Sequence, residues 1–430
     1  MAKKVRLLIR MLCTAVLAAG VCFAAGAAAQ TESSADGTKE IAWQVWVTPN
    51  LTLEFWQEVA DAFVAEHPDV TIELIEANAA VTPSATDFIK TRIAAGDVPD
   101  LMSNISIKDF ADAGILWALP DDDPDLQRIR NLDTARYQGT LYGLPASMQP
   151  QGLLFYNKAL FAEAGLTDTP KTWDEMLDAC GALRDAGITP IITGGQWVAG
   201  FVFSMLTSAD VFQKNTEWYA DRWDGDVDFE TGFAEAGEYF QQLVDGECFN
   251  KGALSVGYAD LEQQFLAGNG AIYPMGSWFT AAEGNADKDF EGGVFYPPTS
   301  GGAQHLMQGL NYGSIGIHNG SEHPETTYEL LKFVLMDDVY GARLLEVDGL
   351  FSALDPPLTY PMTPLQLELQ GLLAEAPTTS GLYGLIVGEP PPAGIMAVYD
   401  RVGQSFLAGQ VTDVGSGLSE LDEFWNDAER

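Results

Sequence analysis

Apolar and polar positions along this chain alternate between two periods. Residues 41–47, Ile-Ala-Trp-Gln-Val-Trp-Val, alternate and predict a first strand. In residues 53–66 the apolar positions Phe55, Val59, Ala62 and Phe63 fall at helical spacing, and His67-Pro68-Asp69 stops that helix. Residues 70–75 predict a second strand. Strand, helix, strand is the crossover unit of an α/β sheet. A helix over 88–95, closed by Gly96, and a buried strand beginning at Pro99 follow.

Residues 139–145 form a short hairpin-like connection that predicts a crossing into a second lobe. The apolar run 153–156 is short and bounded, as suits a strand covered on both faces, and it runs into a helix. Thr172 with Glu175 three residues later makes a capping box ahead of a helix over 173–185. A strand over 188–193, helices over 233–245 and 260–267, and a strand over 270–274 complete that lobe. The chain is expected to return to the first lobe over 309–318 and the helix 324–336, and the tail 365–430 reads helical. The division is therefore lobe 1 at 40–145 and 297–337, and lobe 2 at 146–296 and 338–430.

The first residues change the picture. Lys3, Lys4, Arg6 and Arg10 precede an apolar run over 11–23, and Ala27-Ala28-Ala29 offers a cleavage site before Gln30. Residues 1–29 are expected to be a cleaved signal peptide, and 30–39 an unstructured leader. The apolar run is short for a membrane span. Valine before Cys22 is a poor ending for a lipid-attachment signal, so a soluble periplasmic protein is expected over a lipoprotein. The formal charge is −39 over 430 residues, and the basic leader carries no acid, so the remainder is more acidic still. Such a surface opposes nucleic acid and anionic membranes and favours solubility. Beyond the leader only Cys180 and Cys248 remain. An oxidising compartment permits one disulfide, and two buried free thiols fit equally.

Five blocks stand in order: Gly96-Asp-Val-Pro-Asp-Leu101, Tyr137 to Pro145, Tyr156 to Glu175 (Tyr-Asn-Lys-Ala-Leu-Phe-Ala-Glu-Ala-Gly-Leu, then Pro-Lys-Thr-Trp-Asp-Glu), Phe265 to Trp278 and Phe406 to Val411. Together with His67-Pro-Asp-Val70 they resemble the bacterial extracellular solute-binding proteins of family 1, the sugar-binding components of ABC importers. The resemblance implies a two-lobed α/β periplasmic binding protein fold of type II, hinge-linked, with the ligand between the lobes. It implies no cofactor, a sugar ligand, an inner-membrane ABC permease as partner, and a monomer.

No nucleophile elbow, zinc-protease helix, P-loop or dinucleotide fingerprint is present in the sequence. His67 and His323 precede prolines at element boundaries and read as structural. The acids of 224–230 match a calcium loop only loosely, and those of 121–125 read as a solvated loop. Aromatics are the better clue, because a sugar offers apolar C–H faces to Trp or Tyr and hydroxyls to amides and carboxylates. Trp278 ends a Gly-Ser-Trp turn after a strand, where the crevice of an open sheet lies. The resemblance implies that this tryptophan stacks on a sugar ring. Gln196 and Trp197 are expected on a loop after a strand. Thr48, Asn50 and Asn104 follow strands of the first lobe. Gln149 and Gln151 precede the strand 153–156, and Asn311 and Tyr312 follow the return crossing. Where maltose-binding protein, a member of the resembled family, places an acidic ligand contact, this chain has Pro150. Trp43 and Trp46 alternate along a strand and read as core.

These readings converge on a binding protein that closes about a hinge on a neutral carbohydrate and performs no covalent step. Two rivals stand beside it. A polyamine or cation binder of the same fold would exploit the acidic excess, although the candidate loops are poor in acids. A secreted glycoside hydrolase would need two opposed carboxylates.

Overall fold

The computed structural model describes residues 37–428, apart from 83, 131, 304–305, 308–313, 376–377, 380–390 and 393. The signal peptide and nearly all of the leader expected at 1–39 lie outside the described residues.

The first strand, Lys39–Val47, pairs in parallel with Val70–Asn78 over its whole length, Lys39 opposite Val70 and Val47 opposite Asn78. On its other side it takes Leu101–Met102 in parallel, and that strand takes Gly316–Ile317 antiparallel. The strand expected from Pro99 begins two residues later. Asp100 instead exchanges hydrogen bonds with Ala42, its amide donating to the Ala42 carbonyl and its carboxylate accepting from the Ala42 amide, each at 2.8 Å. The helix Leu53–Glu66 starts where Thr52 accepts from the Phe55 amide and ends at His67, whose ring stacks on Phe63 at 4.1 Å. That contact bears out the structural reading of His67. Gly96, at φ 74°, closes Ala85–Ala95 in the left-handed conformation that glycine tolerates.

The second sheet is antiparallel, with Leu153–Asn157 between Ile272–Met275 and Gly292–Phe295. All but one residue of Leu153–Asn157 are buried, as its apolar run predicts. Thr172 and Glu175 form the expected capping box ahead of Trp173–Asp185. The strand expected over 188–193 is absent as a named strand. Ile191 bridges Phe249 and Ile272 as an isolated pair. Pro190 has no amide to donate, so the segment cannot carry a full ladder.

Two large hydrophobic cores result. One gathers Trp43, Trp56, Phe63, Leu101 and Leu331, and the other gathers Phe155, Phe203, Phe240, Tyr273 and Trp425. The chain passes between them at the antiparallel pair Ser147–Met148 with Phe351–Ser352. Residues 338–358 were expected with the second lobe. They instead give Ala342, Leu344, Leu345, Leu350, Leu354 and Leu358 to the first core. Tyr340–Val347 packs back on Pro324–Met336, whereas Phe351 at the crossing, then Met362 and Leu365, pack into the second core. In the tail, the described helices are Pro364–Glu375, Ile395–Leu407 and Val414–Asp427.

The acidic runs serve local structure. Asp228 caps Phe229–Gly232 by accepting from Thr231, and Asp123 and Asp125 both accept from Lys332.

Candidate functional site

The strand Ile272–Met275 is wholly buried and delivers the turn Gly276-Ser277-Trp278. The Ser277 amide donates to the Pro150 carbonyl at 2.7 Å, which ties the turn to the crossing between the cores. A β-carbon on Gly276 would lie 2.0 Å from the six-membered ring of Trp278. Only glycine lets the indole fold back over the turn. Trp278 is left half-buried, with its ring 6.2 Å from Phe201.

Its ring lies beside Tyr258, and Glu262 stands one helical turn on from Tyr258. Burial raises the Glu262 carboxyl to about 7, partly offset by the Tyr258 hydrogen bond. Burial, with the nearby charges of Glu262 and Asp348, drives the Tyr258 hydroxyl well above its usual range.

Gln196 and Trp197, expected on a loop, stand at the start of the helix Trp197–Lys214. Fifteen residues of that helix, Val198 to Phe212, are buried, so it lacks the one-sided period that marks a surface helix. Its entry is placed by close backbone contact, since a β-carbon on Gly195 would lie 2.3 Å from the Leu254 carbonyl oxygen. The Trp197 ring stands 5.2 Å from Tyr258 and 5.6 Å from Phe201. Trp197, Phe201, Tyr258 and Trp278 thus make one aromatic wall from three separate stretches of chain. Gln196 is exposed at φ 57°, and its carbonyl accepts from Gln404.

A polar cluster meets this wall. Asn50 donates to the Trp278 carbonyl at 2.9 Å and to Asp348 at 3.4 Å, reaching from the loop after the first strand to the second lobe. Gln149 donates to the other Asp348 oxygen at 3.3 Å, and Gln151 donates to Gln149 at 3.2 Å. Asp348 is only 4% exposed. The next residue, Gly349, has φ 58°, and a β-carbon there would lie 2.5 Å from the Ser277 carbonyl oxygen. The first core therefore touches the tryptophan turn through backbone as well as through Asn50.

The remaining candidates divide. Thr48 closes its own loop by accepting from the Leu51 amide. Asn104 is exposed in left-handed backbone, φ 59°, with no hydrogen bond to the cluster. Asn311 and Tyr312 lie outside the described residues. Trp43 is fully buried, edge-on to Trp56 at 5.2 Å, as a core residue should be. Trp46 is only half-buried, so the reading of it as core fits less well.

Four members were missed: Phe201, on a helix the sequence reading did not predict, and Tyr258, Glu262 and Asp348. Tyr258 and Glu262 carry only an i,i+4 spacing, and the helix expected over 260–267 begins beyond Tyr258. Asp348, before Gly349 at a helix end, carries no more than a turn signal.

The sequence matches the family model described as bacterial extracellular solute-binding protein over residues 49–340. A multiple sugar-binding protein of Streptococcus mutans is 23% identical over 294 residues, covering 65% of this chain and 67% of that one. A probable sugar-binding periplasmic protein of Mesorhizobium japonicum is 22% identical over 373 residues, covering 80% and 84%. Among solved structures, a chitin oligosaccharide binding protein superimposes with a TM-score of 0.78 at 23% identity, covering 91% of this chain and 99% of that one. The two main sheets, the two large cores and the paired-strand crossing among the described residues are the hinge-linked, two-lobed α/β arrangement shared with that structure. The chain belongs to the family of bacterial extracellular solute-binding proteins.

Proposed function

We propose that this protein captures a neutral carbohydrate, an oligosaccharide or glycoside, in the cleft between its lobes. Closure about the hinge then presents the loaded protein to an inner-membrane ABC permease. The observation that carries the reading is the aromatic wall of Trp197, Tyr258 and Trp278 facing a cluster of amides, Asn50, Gln149 and Gln151. Flat apolar rings beside neutral donors and acceptors suit a molecule with C–H faces and hydroxyls. The similarity to proteins described as binding sugars supports it.

The mechanism is differential affinity. A ligand that touches both lobes stabilises the closed state because only that state makes both sets of contacts. Asn50 and Asp348 come from the first lobe and the aromatic rings from the second, so a ligand seated here bridges them. Catalysis forms no part of this reading. We also propose a soluble, monomeric periplasmic form that starts near Gln30. The lobes are taken as 39–146 with 314–358, and 153–303 with 365–428, which moves the last crossing later than the sequence suggests.

A second reading, a polyamine or other cation, draws on Asp348 and Glu262 beside the wall. Two features mute that charge. Both Asp348 oxygens accept from side-chain amides, and burial leaves Glu262 only partly ionised around pH 7. A thermal-shift screen over neutral oligosaccharides, polyols and polyamines separates the readings. A ligand at one hundred times its Kd adds about 2.7 kcal/mol of stability. A rise with neutral sugars supports the proposal, and a rise with polyamines alone overturns it.

A further inference from the structure

The two cysteines beyond the leader, 68 positions apart in sequence, come together in the second core. Cys180 lies on the inner face of Trp173–Asp185, and Cys248 lies in the turn after Ala234–Asp245. Both are buried free thiols in this structure, and their side chains are neighbours beside Tyr239. Their backbones are held independently. Arg184, one turn beyond Cys180, donates to the Gly246 carbonyl, two residues before Cys248. Cys248 donates its amide to the Leu243 carbonyl at 3.0 Å and accepts from the Ile191 amide at 2.9 Å. Trp173 and Tyr239 stack at 4.8 Å between the same two helices.

We propose that Cys180 and Cys248 are joined by a disulfide in the exported protein, clamping the helix Trp173–Asp185 to the turn after Ala234–Asp245. The inference rests on the export reading, because only an oxidising compartment sustains such a bond. The closed loop holds Trp197 and the buried helix that follows it. The bond would therefore stiffen the platform of the aromatic wall and keep hinge motion rigid-body.

The chemistry is thiol–disulfide exchange with an oxidising dithiol carrier. One cysteine thiolate attacks the carrier disulfide and releases a carrier thiolate. The second thiolate displaces the carrier from the mixed disulfide. Two protons and two electrons leave the protein, and the carrier is reduced to its dithiol. The partner thiol and burial push the Cys180 thiol far above its usual range, so little thiolate exists in the folded state. Closure accordingly belongs to folding, before the core is sealed.

The test is a non-reducing peptide map of the exported protein, with free thiols alkylated after unfolding. The expected result is a linked Cys180–Cys248 peptide and a chain lighter by two hydrogens. Reduction should then lower the melting temperature by about 3–5 °C, as for a loop of roughly 68 residues in a protein of this size. Two alkylated cysteines, or a bond between chains, overturns the proposal. If the protein is not exported, that failure belongs to the export reading. Refolding the purified chain in a glutathione redox buffer then decides the disulfide separately. A linked peptide there supports it, and two free thiols overturn it.

Discussion

Replacing Trp278 with alanine separates a ligand-stacking ring from a packing ring. The side chain is half-buried, rests over Gly276, stands 6.2 Å from Phe201 and lies beside Tyr258. A fully buried tryptophan would cost ~3–5 kcal/mol of stability on truncation. Here part of the ring is already in solvent, and the Asn50 hydrogen bond goes to the backbone carbonyl, which alanine keeps. The stability loss should therefore stay under ~3 kcal/mol. An aromatic anchor in a desolvated site is worth ~2 kcal/mol or more of binding, so Kd should rise about thirtyfold. Calorimetric titration of Trp278→Ala with the best neutral sugar from the screen, beside a ligand-free melting curve, measures both quantities. Unchanged affinity with a large loss of stability would refute the reasoning and leave Trp197 as the leading ring.

Gly276→Ala should weaken binding severalfold although Trp278 is still present, because the added methyl displaces the indole; the same titration reads it, and wild-type affinity would count against the stacking geometry. Trp43→Ala should cost ~3–5 kcal/mol of stability by chemical denaturation, since that ring is fully buried between strand and helix. Glu262 has a folded value raised from 4.5 to about 7, so the folded state binds the extra proton. Its favourable contribution is complete below the unfolded value and is lost as pH rises through the folded one, about 3 kcal/mol between roughly pH 4.5 and 7. Asp400, raised from 3.8 to about 7 by burial, adds a slope of the same sign. Denaturation of Glu262→Gln across this range should therefore show a shallower decline than wild type, and an identical decline would show that Glu262 does not titrate there.

What was legible in the sequence follows from how local each feature is. The capping box at Thr172 and Glu175, the glycine stop at Gly96 and the helix Leu53–Glu66 depend on near neighbours, and each formed. The helix Trp197–Lys214 escaped because a helix buried on every side has no polar stripe. Residues 188–193 read as a strand from composition, yet Pro190 leaves only isolated bridges. Within the site, Trp278 and Trp197 were visible because large aromatics after strands are conspicuous. Tyr258, Glu262 and Asp348 were not. Their neighbours are set by tertiary packing, Asp348 meeting Asn50 across 298 positions and Gln149 across 199. The last crossing between cores was not legible for the same reason. Nothing local at residue 338 says which core Tyr340–Val347 will pack against.

Small-angle scattering of the protein with and without a saturating neutral oligosaccharide, chosen by the thermal-shift screen, tests capture by closure most directly. The account predicts that the radius of gyration falls as ligand is added and levels off as the site fills. A radius unchanged at saturation would contradict it, since a ligand bound without drawing the lobes together would not be bridging Asn50 and Asp348 to the aromatic wall.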